Sequence, residues 1–578
     1  MNVARWESYA DRHRGAIFAL VGGVAAILQT WCSRGTFSPD LLPYLWGARK
    51  LLANGWNASA NAYWSPLYSW LLAVPMSLHL MSSSTELLWA HIITLGVFFF
   101  AMLSWHVLLN HTLRLAAIRA AWKPAAWARI ETWWYFTGCA IFLYATFEWL
   151  PNSLCTPDLL VASFILLSAA LLAAILCRDR GWPSYIALGA SMALGYLAKA
   201  AAFPLALLLF CMLPFLSRGE KWKWSKCLAS IAAFVLIAGP FAYTVSKKEG
   251  HLTFGESGRV NFLMYVNGLP PFWFGEGLSH GGNPPIFHEV CENPQVLAFH
   301  EAPPGMYIPV YEPSRWYAGL MPHLQLRQEL RNLRVGWHTL AEMLEVESDL
   351  ILGFVLLLVL AGFAEGLKSV LAWWFLWFPA ACGIVMFWLV HVEDRFIPPF
   401  LLLGFVGLYT GVLISNSRRP MLIVKILMAI LLVQGCRATA VVLKGFFSSP
   451  GSTTSDAATI VDDLARNGVP KGAKVGVIGI LPDAYWIWMA QYSFVAEVPV
   501  SGISRFLGAE PRGRQRVYSC FAKSGAQAAF FNAETPELLD PGWQKVGSKN
   551  LYVRVLGQDL LTLNDCKPSP NNGQKTQR

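Results

Sequence analysis

Asp158-Leu159-Leu160-Val161-Ala162-Ser163-Phe164-Ile165-Leu166-Leu167-Ser168-Ala169-Ala170-Leu171-Leu172-Ala173-Ala174-Ile175-Leu176-Cys177 is an unbroken apolar run behind one carboxylate. It matches the roughly 20 residues that a helix needs to cross a bilayer. Its apolarity is continuous, whereas the strands of a membrane barrel alternate. The chain repeats this pattern along most of its length. Of its 578 residues, 55% are hydrophobic and only 14% charged, against about 25% charged in soluble domains. The 26 Trp and 35 Phe fit aromatic belts at two membrane interfaces. The fold class is a polytopic α-helical membrane protein.

Eleven stretches have span character: 16–33, 84–109, 131–150, 158–177, 184–199, 201–216, 227–245, 347–362, 369–390, 396–414 and 421–443. Pro66–Leu80 is an amphipathic piece between the first two. Alternating the spans collects Arg5, Arg12, Arg14, Arg114, Arg119, Lys123, Arg129, Arg178, Arg180, Arg218, Lys221, Lys223, Lys226, Lys368, Arg418 and Arg419 on one side. Lys and Arg mark the cytoplasmic side. The amino terminus is therefore expected inside, and Asp40, the long loop and the carboxyl-terminal tail outside. The net charge of +10 follows from this bias and calls for no nucleic-acid partner.

The expected organisation is a transmembrane part over 1–445, with an outer loop at 34–83 and a long outer loop at 246–346. A linker at 446–456 leads to a small outward α/β domain over 457–560, and a polar tail follows at 561–578. In the tail domain, Ala457–Asn467, Asp483–Gln491 and Arg512–Ser524 read as helices. Lys474–Ile480, Ala528–Phe531 and Leu551–Val555 read as strands. Gly476 and Gly479 lack the third glycine of a dinucleotide fingerprint. The long loop carries Gly268-Leu269-Pro270-Pro271-Phe272-Trp273-Phe274-Gly275 and Gly281-Gly282-Asn283-Pro284-Pro285. Its aromatics argue for a partly ordered lid rather than disorder. Eleven cysteines show no metal-ligand spacing. Cys520 and Cys566 fall in the outward tail, where a bridge is chemically allowed.

Ionisable residues at outer span ends are the candidates for chemistry, because charge at membrane depth is costly. They are Asp40, Arg49, Glu148, Asp158, Lys199, the group Glu345, Glu347 and Asp349, and the turn His391, Glu393, Asp394 and Arg395. For Asp158 the plain alternative is a helix cap behind Pro157. For Lys199 it is a snorkelling side chain, and for the glutamates a preference for a helix start.

One chemistry unites them. A sugar on a lipid phosphate would present its phosphate at headgroup level. Arg395 and Lys199, with His391 beside them, would hold that phosphate and stabilise it as it leaves. Asp40 would take the proton of an attacking hydroxyl as general base, with inversion at the sugar carbon. Asp158, Glu393, Tyr44 and Arg49 would orient base or acceptor. Asp40 and Asp158 offer oxygen ligands, so a divalent metal stays open as a cofactor.

These residues resemble the GT-C superfamily of membrane glycosyltransferases, and are similar to lipid-A aminoarabinose transferases and protein-mannosyltransferase-like families. Pro39-Asp40 with Tyr44-Leu45, Tyr63-Trp64-Ser65-Pro66-Leu67, Pro157-Asp158, Gly195-Tyr196-Leu197-Ala198-Lys199 and His391-Val392-Glu393-Asp394-Arg395-Phe396 carry the resemblance. It covers about 15–445. It implies a polyprenyl-phosphate sugar donor, Asp40 as base, and a lipid, glycan or protein acceptor. It also implies a bacterial inner membrane with a periplasmic active site. Two departures stand: no second acid adjoins Asp40, and Glu393-Asp394-Arg395 spaces its charges differently from some relatives.

Two other readings remain. A glycan ligase or polymerase on a lipid-diphosphate donor would need a basic outer loop, and Lys247, Lys248, Arg259, Arg315, Arg327, Arg331 and Arg334 supply charge there. A transporter would place its charges at mid-membrane between repeats, which this chain does not show.

Overall fold

A backbone withdrawn from water must bond to itself, so apolar runs of this length become helices. The computed structural model describes residues 3–561 except 37, 83–84, 120–123, 178–180, 218, 220–221, 271–286, 307–310, 318, 416–418, 448–452, 480, 482–484, 534–535, 548–549 and 558–559. Outside the described residues lie the Phe272–Gly275 and Gly281–Pro285 stretches, the centre of the expected linker, Cys566 and the polar tail. Lys123, Arg178, Arg180, Arg218, Lys221 and Arg418 lie there too.

The chain forms two units. One comprises Met1–Arg34, Gly47–Gly268 and Pro322–Ser449; the other comprises Gly35–Trp46, Leu269–Met321 and Pro450–Arg578. In chain order the helices begin with α1 (Val3–Ser33), α2 (Leu41–Ser59), α3 (Leu67–Ser77), α4 (Glu86–Arg119), α5 (Pro124–Trp149), α6 (Asp158–Leu176), α7 (Trp182–Ala198), α8 (Ala202–Leu216), α9 (Lys223–Glu249) and α10 (Ser257–Asn261). A π-helical turn, Phe262–Val266, extends α10. Then come α11 (Leu326–Val346), α12 (Ser348–Ala361), α13 (Phe363–Leu371), α14 (Trp374–Trp388), α15 (Pro398–Ser415) and α16 (Pro420–Phe447).

A helix stands on each of the eleven predicted stretches. Six of them, α1, α4, α6, α9, α15 and α16, are long and apolar enough to cross a membrane. The pair α12 and α13 bends by 114° and counts as a seventh if taken as one broken span. The break falls at Gly362, whose φ of 81° belongs to the left-handed region. Helices α8 and α14 have 15 residues each, about 22 Å at the helical rise and short of a bilayer core of about 30 Å. Among the described residues, length and composition alone thus mark six helices, or seven with the bent pair, as able to cross. The piece Pro66–Leu80, expected as a surface helix or a half-span, contains the 11-residue α3.

Within this unit α4 packs on α6, α6 on α7, and α7 on α9. Small residues allow the close approaches, as in membrane bundles generally. A Cβ on Gly189 of α7 would lie 1.9 Å from the Ser230 carbonyl oxygen of α9. Ser168 on α6 donates to Ser191 on α7 at 2.8 Å. These contacts fix the start of α6 beside the end of α7, where the site forms.

The second unit is built on a seven-stranded sheet of order β1-β2-β4-β3-β5-β7-β6. The strands are β1 (Phe287–Glu292), β2 (Gln295–Phe299), β3 (Lys474–Ile478), β4 (Ser493–Val498), β5 (Ala528–Asn532), β6 (Gln544–Val546) and β7 (Leu551–Val555). The helices here are α17 (Thr453–Arg466), α18 (Tyr485–Ala490), α19 (Ile503–Gly508) and α20 (Pro511–Lys523). β3 pairs in parallel with β4 and β5, and the other pairings are antiparallel. The long loop thus supplies a β-hairpin that pairs with β4 of the tail domain through Leu297 and Ala298. Val290, Cys291, Val296 and Ala298 of that hairpin share a core with Val495, Val517 and Phe521. Gly476 serves packing: a Cβ there would lie 2.4 Å from the Phe521 ring. Cys520 is disulfide-bonded, and nine other cysteines are free thiols.

Candidate functional site

Three breaks in the helical backbone create the site. Helix α6 opens at Asp158, directly after Pro157. Its positive end favours a carboxylate there. Helix α7 ends before Lys199, which is extended at φ −157° and ψ 129°. Pro204 has no N–H to continue the α7 ladder but fits the first turn of α8. Arg395 lies on a 3-10 turn, Asp394–Phe396, just ahead of Pro398-Pro399 at the start of α15.

These ends meet. Lys199 Nζ donates to Asp158 Oδ1 at 2.5 Å. Thr156 Oγ1 donates to Asp158 Oδ2 at 2.8 Å. Arg395 Nη1 stands 3.7 Å from the same Oδ2. Arg395 Nε donates to Glu393 Oε2 at 2.6 Å, and His391 Nε2 lies 3.2 Å from Glu393 Oε1. The Lys199 ammonium sits 3.7 Å over the Phe396 ring, a cation–π arrangement. The Tyr265 ring stacks on His391 at 3.6 Å with planes 2° apart.

The carboxyl of Asp158 is buried and no helix cap, since no side chain caps α6. It answers the two cations instead. Lys199 likewise is paired rather than only snorkelling. Burial pushes the Glu393 carboxyl up, but the hydrogen bond from His391 and the charge of Arg395 outweigh it and hold it at about 2.

Beside the cations runs a slot lined by Val161, Ile165, Leu205, Phe387 and Phe400. It encloses about 20 Å³, room for roughly one water. A charged mouth over an apolar slot suits an amphiphile with an anionic head.

The cluster therefore gathers Asp158, Lys199, His391, Glu393 and Arg395. Asp40 and Tyr44 belong to the other unit; Asp40 is half-buried in the turn before α2 and Tyr44 is buried within that helix. Arg49 pairs with the buried Glu86 at 2.9 Å. Glu347 accepts from Gln434 at 3.0 Å and Asp349 from Arg437 at 2.8 Å. Those acids serve helix contacts, not the cluster. Thr156, Phe396 and Tyr265 join the site without a sequence-assigned role. A hydroxyl two residues before Asp158 was a usable signal for Thr156, but nothing local marks Tyr265.

The residues present do not suit a metal at Asp158. Its oxygens already face an ammonium, a guanidinium and a hydroxyl. Among the described residues no group of three or more His, Cys, Asp or Glu side chains is arranged to hold a metal ion.

No protein-family model matches the chain, and no curated protein matches it. Among solved structures it is similar to ArnT from Cupriavidus metallidurans bound to undecaprenyl phosphate, at 14% identity and a TM-score of 0.42. That match covers 94% of this chain and 98% of the other. The apo form of the same protein matches at 14% identity over 95% and 99% of the chains, with a TM-score of 0.41. Likeness at this level leaves the function to be argued from the residues themselves.

Proposed function

We propose that this protein is a membrane glycosyltransferase that moves a sugar from a polyprenyl-phosphate donor to a hydroxyl acceptor. The supporting observation is the meeting of Lys199 and Arg395, from two separate backbone breaks, on one buried carboxylate beside an apolar slot. Two cations at one point suit a phosphate, and the slot suits the lipid chain next to it. The slot must widen to admit such a chain.

In this reading the acceptor oxygen attacks the sugar carbon that carries the phosphate. The new C–O bond forms as the bond to the phosphate oxygen breaks, and the configuration inverts. Asp40 takes the acceptor's proton. The phosphate leaves with the bonding electrons, and Lys199 and Arg395 stabilise its growing charge. Asp158 and Glu393 keep the two cations in place before the donor arrives. The active face is the one opposite the basic inner loops, the periplasmic face of a bacterial inner membrane.

The test is Asp40→Asn in the full chain, assayed with a polyprenyl-phosphate sugar. Loss of a general base typically costs about 10²–10⁴-fold in rate. A variant that is folded and inserted but retains full transfer removes Asp40 from this role.

A further inference from the structure

Helix α11 divides into three stripes when its residues are placed at about 100° intervals. Glu329, Gly336, Leu340 and Met343 form the buried stripe. Leu326, Leu330 and Trp337 form an exposed apolar stripe, at 68%, 59% and 51% exposure. Arg327, Arg331, Arg334 and His338 form a basic stripe next to it, all exposed. None of these four has a hydrogen-bond or ion-pair partner among the described residues. The helix leads, through Glu347 alone, into the apolar α12, which exposes Leu352, Val355, Leu356 and Val359.

We infer that α11 lies on the membrane surface and binds anionic phospholipid headgroups. Leu326, Leu330 and Trp337 enter the boundary between headgroups and acyl chains. Arg327, Arg331, Arg334 and His338 reach the phosphates beside them. Three features select this occupant over a soluble protein. Over residues 326–338 the exposed Leu and Trp side chains lie beside Arg and His, with the acids Glu342 and Glu345 on that face only farther along. Leu and Trp next to Arg is the composition of helices that lie in an interface. The cations complement an anionic surface. The next helix is apolar enough to begin a broken span, which holds the end of α11 at the membrane.

The position has a consequence for the site, although lipid binding does not depend on the transfer chemistry. Asn332 Nδ2 donates to the Val390 carbonyl at 2.9 Å, and Trp388 Nε1 donates to the Leu333 carbonyl at 2.8 Å. Leu340 and Met343 share a core with Val392 and Ile397. The helix is thus fastened to both ends of the turn that carries His391, Glu393 and Arg395, and its lipid contacts set that turn at headgroup level.

Native mass spectrometry of the purified full chain, exposed to equal phosphatidylglycerol and phosphatidylcholine, tests this. The wild type should retain phosphatidylglycerol preferentially. With about 1 kcal/mol per arginine at a lipid surface, R327Q/R331Q/R334Q should lose at least about tenfold of that preference, while R327K/R331K/R334K keeps it. A folded glutamine variant with unchanged preference overturns the proposal. A second measurement covers a glutamine variant that fails to fold. Leu330→Cys, labelled with a fluorophore after the exposed Cys211 and Cys436 are replaced, is reconstituted in vesicles. Quenching by lipids brominated near the headgroup supports the inference; quenching by aqueous iodide alone overturns it.

Discussion

The Lys199 ammonium donates to the Asp158 carboxylate across 2.5 Å and ties the end of α7 to the start of α6. The acid is buried, while the lysine keeps 28% of its side chain exposed. Removing Asp158 takes this counter-charge from Lys199, and removing Lys199 leaves the buried acid only the more distant Arg395, at 3.7 Å. Asp158→Asn and Lys199→Met should each lower stability by about 1–3 kcal/mol, less than for a pair wholly out of water. The double variant should cost less than the sum of the two. Thermal unfolding of all four proteins in one detergent measures this, and strict additivity would show that the two side chains are not coupled.

Glu393 gives the turn a defined acid limb. Its folded value of about 2 lies below the ordinary 4.5, so the unfolded chain binds the proton more readily. The stability it supplies is fully present above about pH 4.5 and is lost as the pH falls towards 2. Unfolding temperatures of the wild type and Glu393→Gln should therefore run parallel above about pH 5 and converge in acid. A difference that persists unchanged at pH 3 would contradict the assignment.

Glu497 acts in the opposite direction. It is buried in β4, and burial pushes its carboxyl up to about 8. Here the folded state holds the proton more tightly, so stability declines as pH rises from about 4.5 to about 8 and then levels off. Glu497→Gln should flatten that decline and stabilise the protein at pH 8. Comparison of unfolding temperatures at pH 5.5 and pH 8 is enough, and an identical slope in both proteins would remove Glu497 as the cause.

Much of the helical architecture was legible, because unbroken apolar runs have few other ways to satisfy their backbone. The short 15-residue helices and the bend at Gly362 were not, since they depend on tertiary packing. Asp158, Lys199 and the 391–395 turn stood out as charges at helix ends. Their meeting did not, because it depends on α6 and α7 packing side by side. The hairpin at 287–299 was missed for a similar reason. Its strands are short, and β2 finds its partner, β4, far along the chain. The basic residues Arg327, Arg331 and Arg334 were visible as charge, yet only the helix shows that they share one stripe.

The central claim is that Lys199 and Arg395 bind the donor's phosphate. Equilibrium binding of polyprenyl phosphate to the purified full chain, followed by intrinsic tryptophan fluorescence, tests it without any acceptor. Charge-assisted hydrogen bonds contribute about 1.5–3 kcal/mol each, so Lys199→Gln and Arg395→Gln should each weaken binding by at least about tenfold, while Asp40→Asn leaves it near the wild-type value. Wild-type affinity in both folded cation variants would contradict the account.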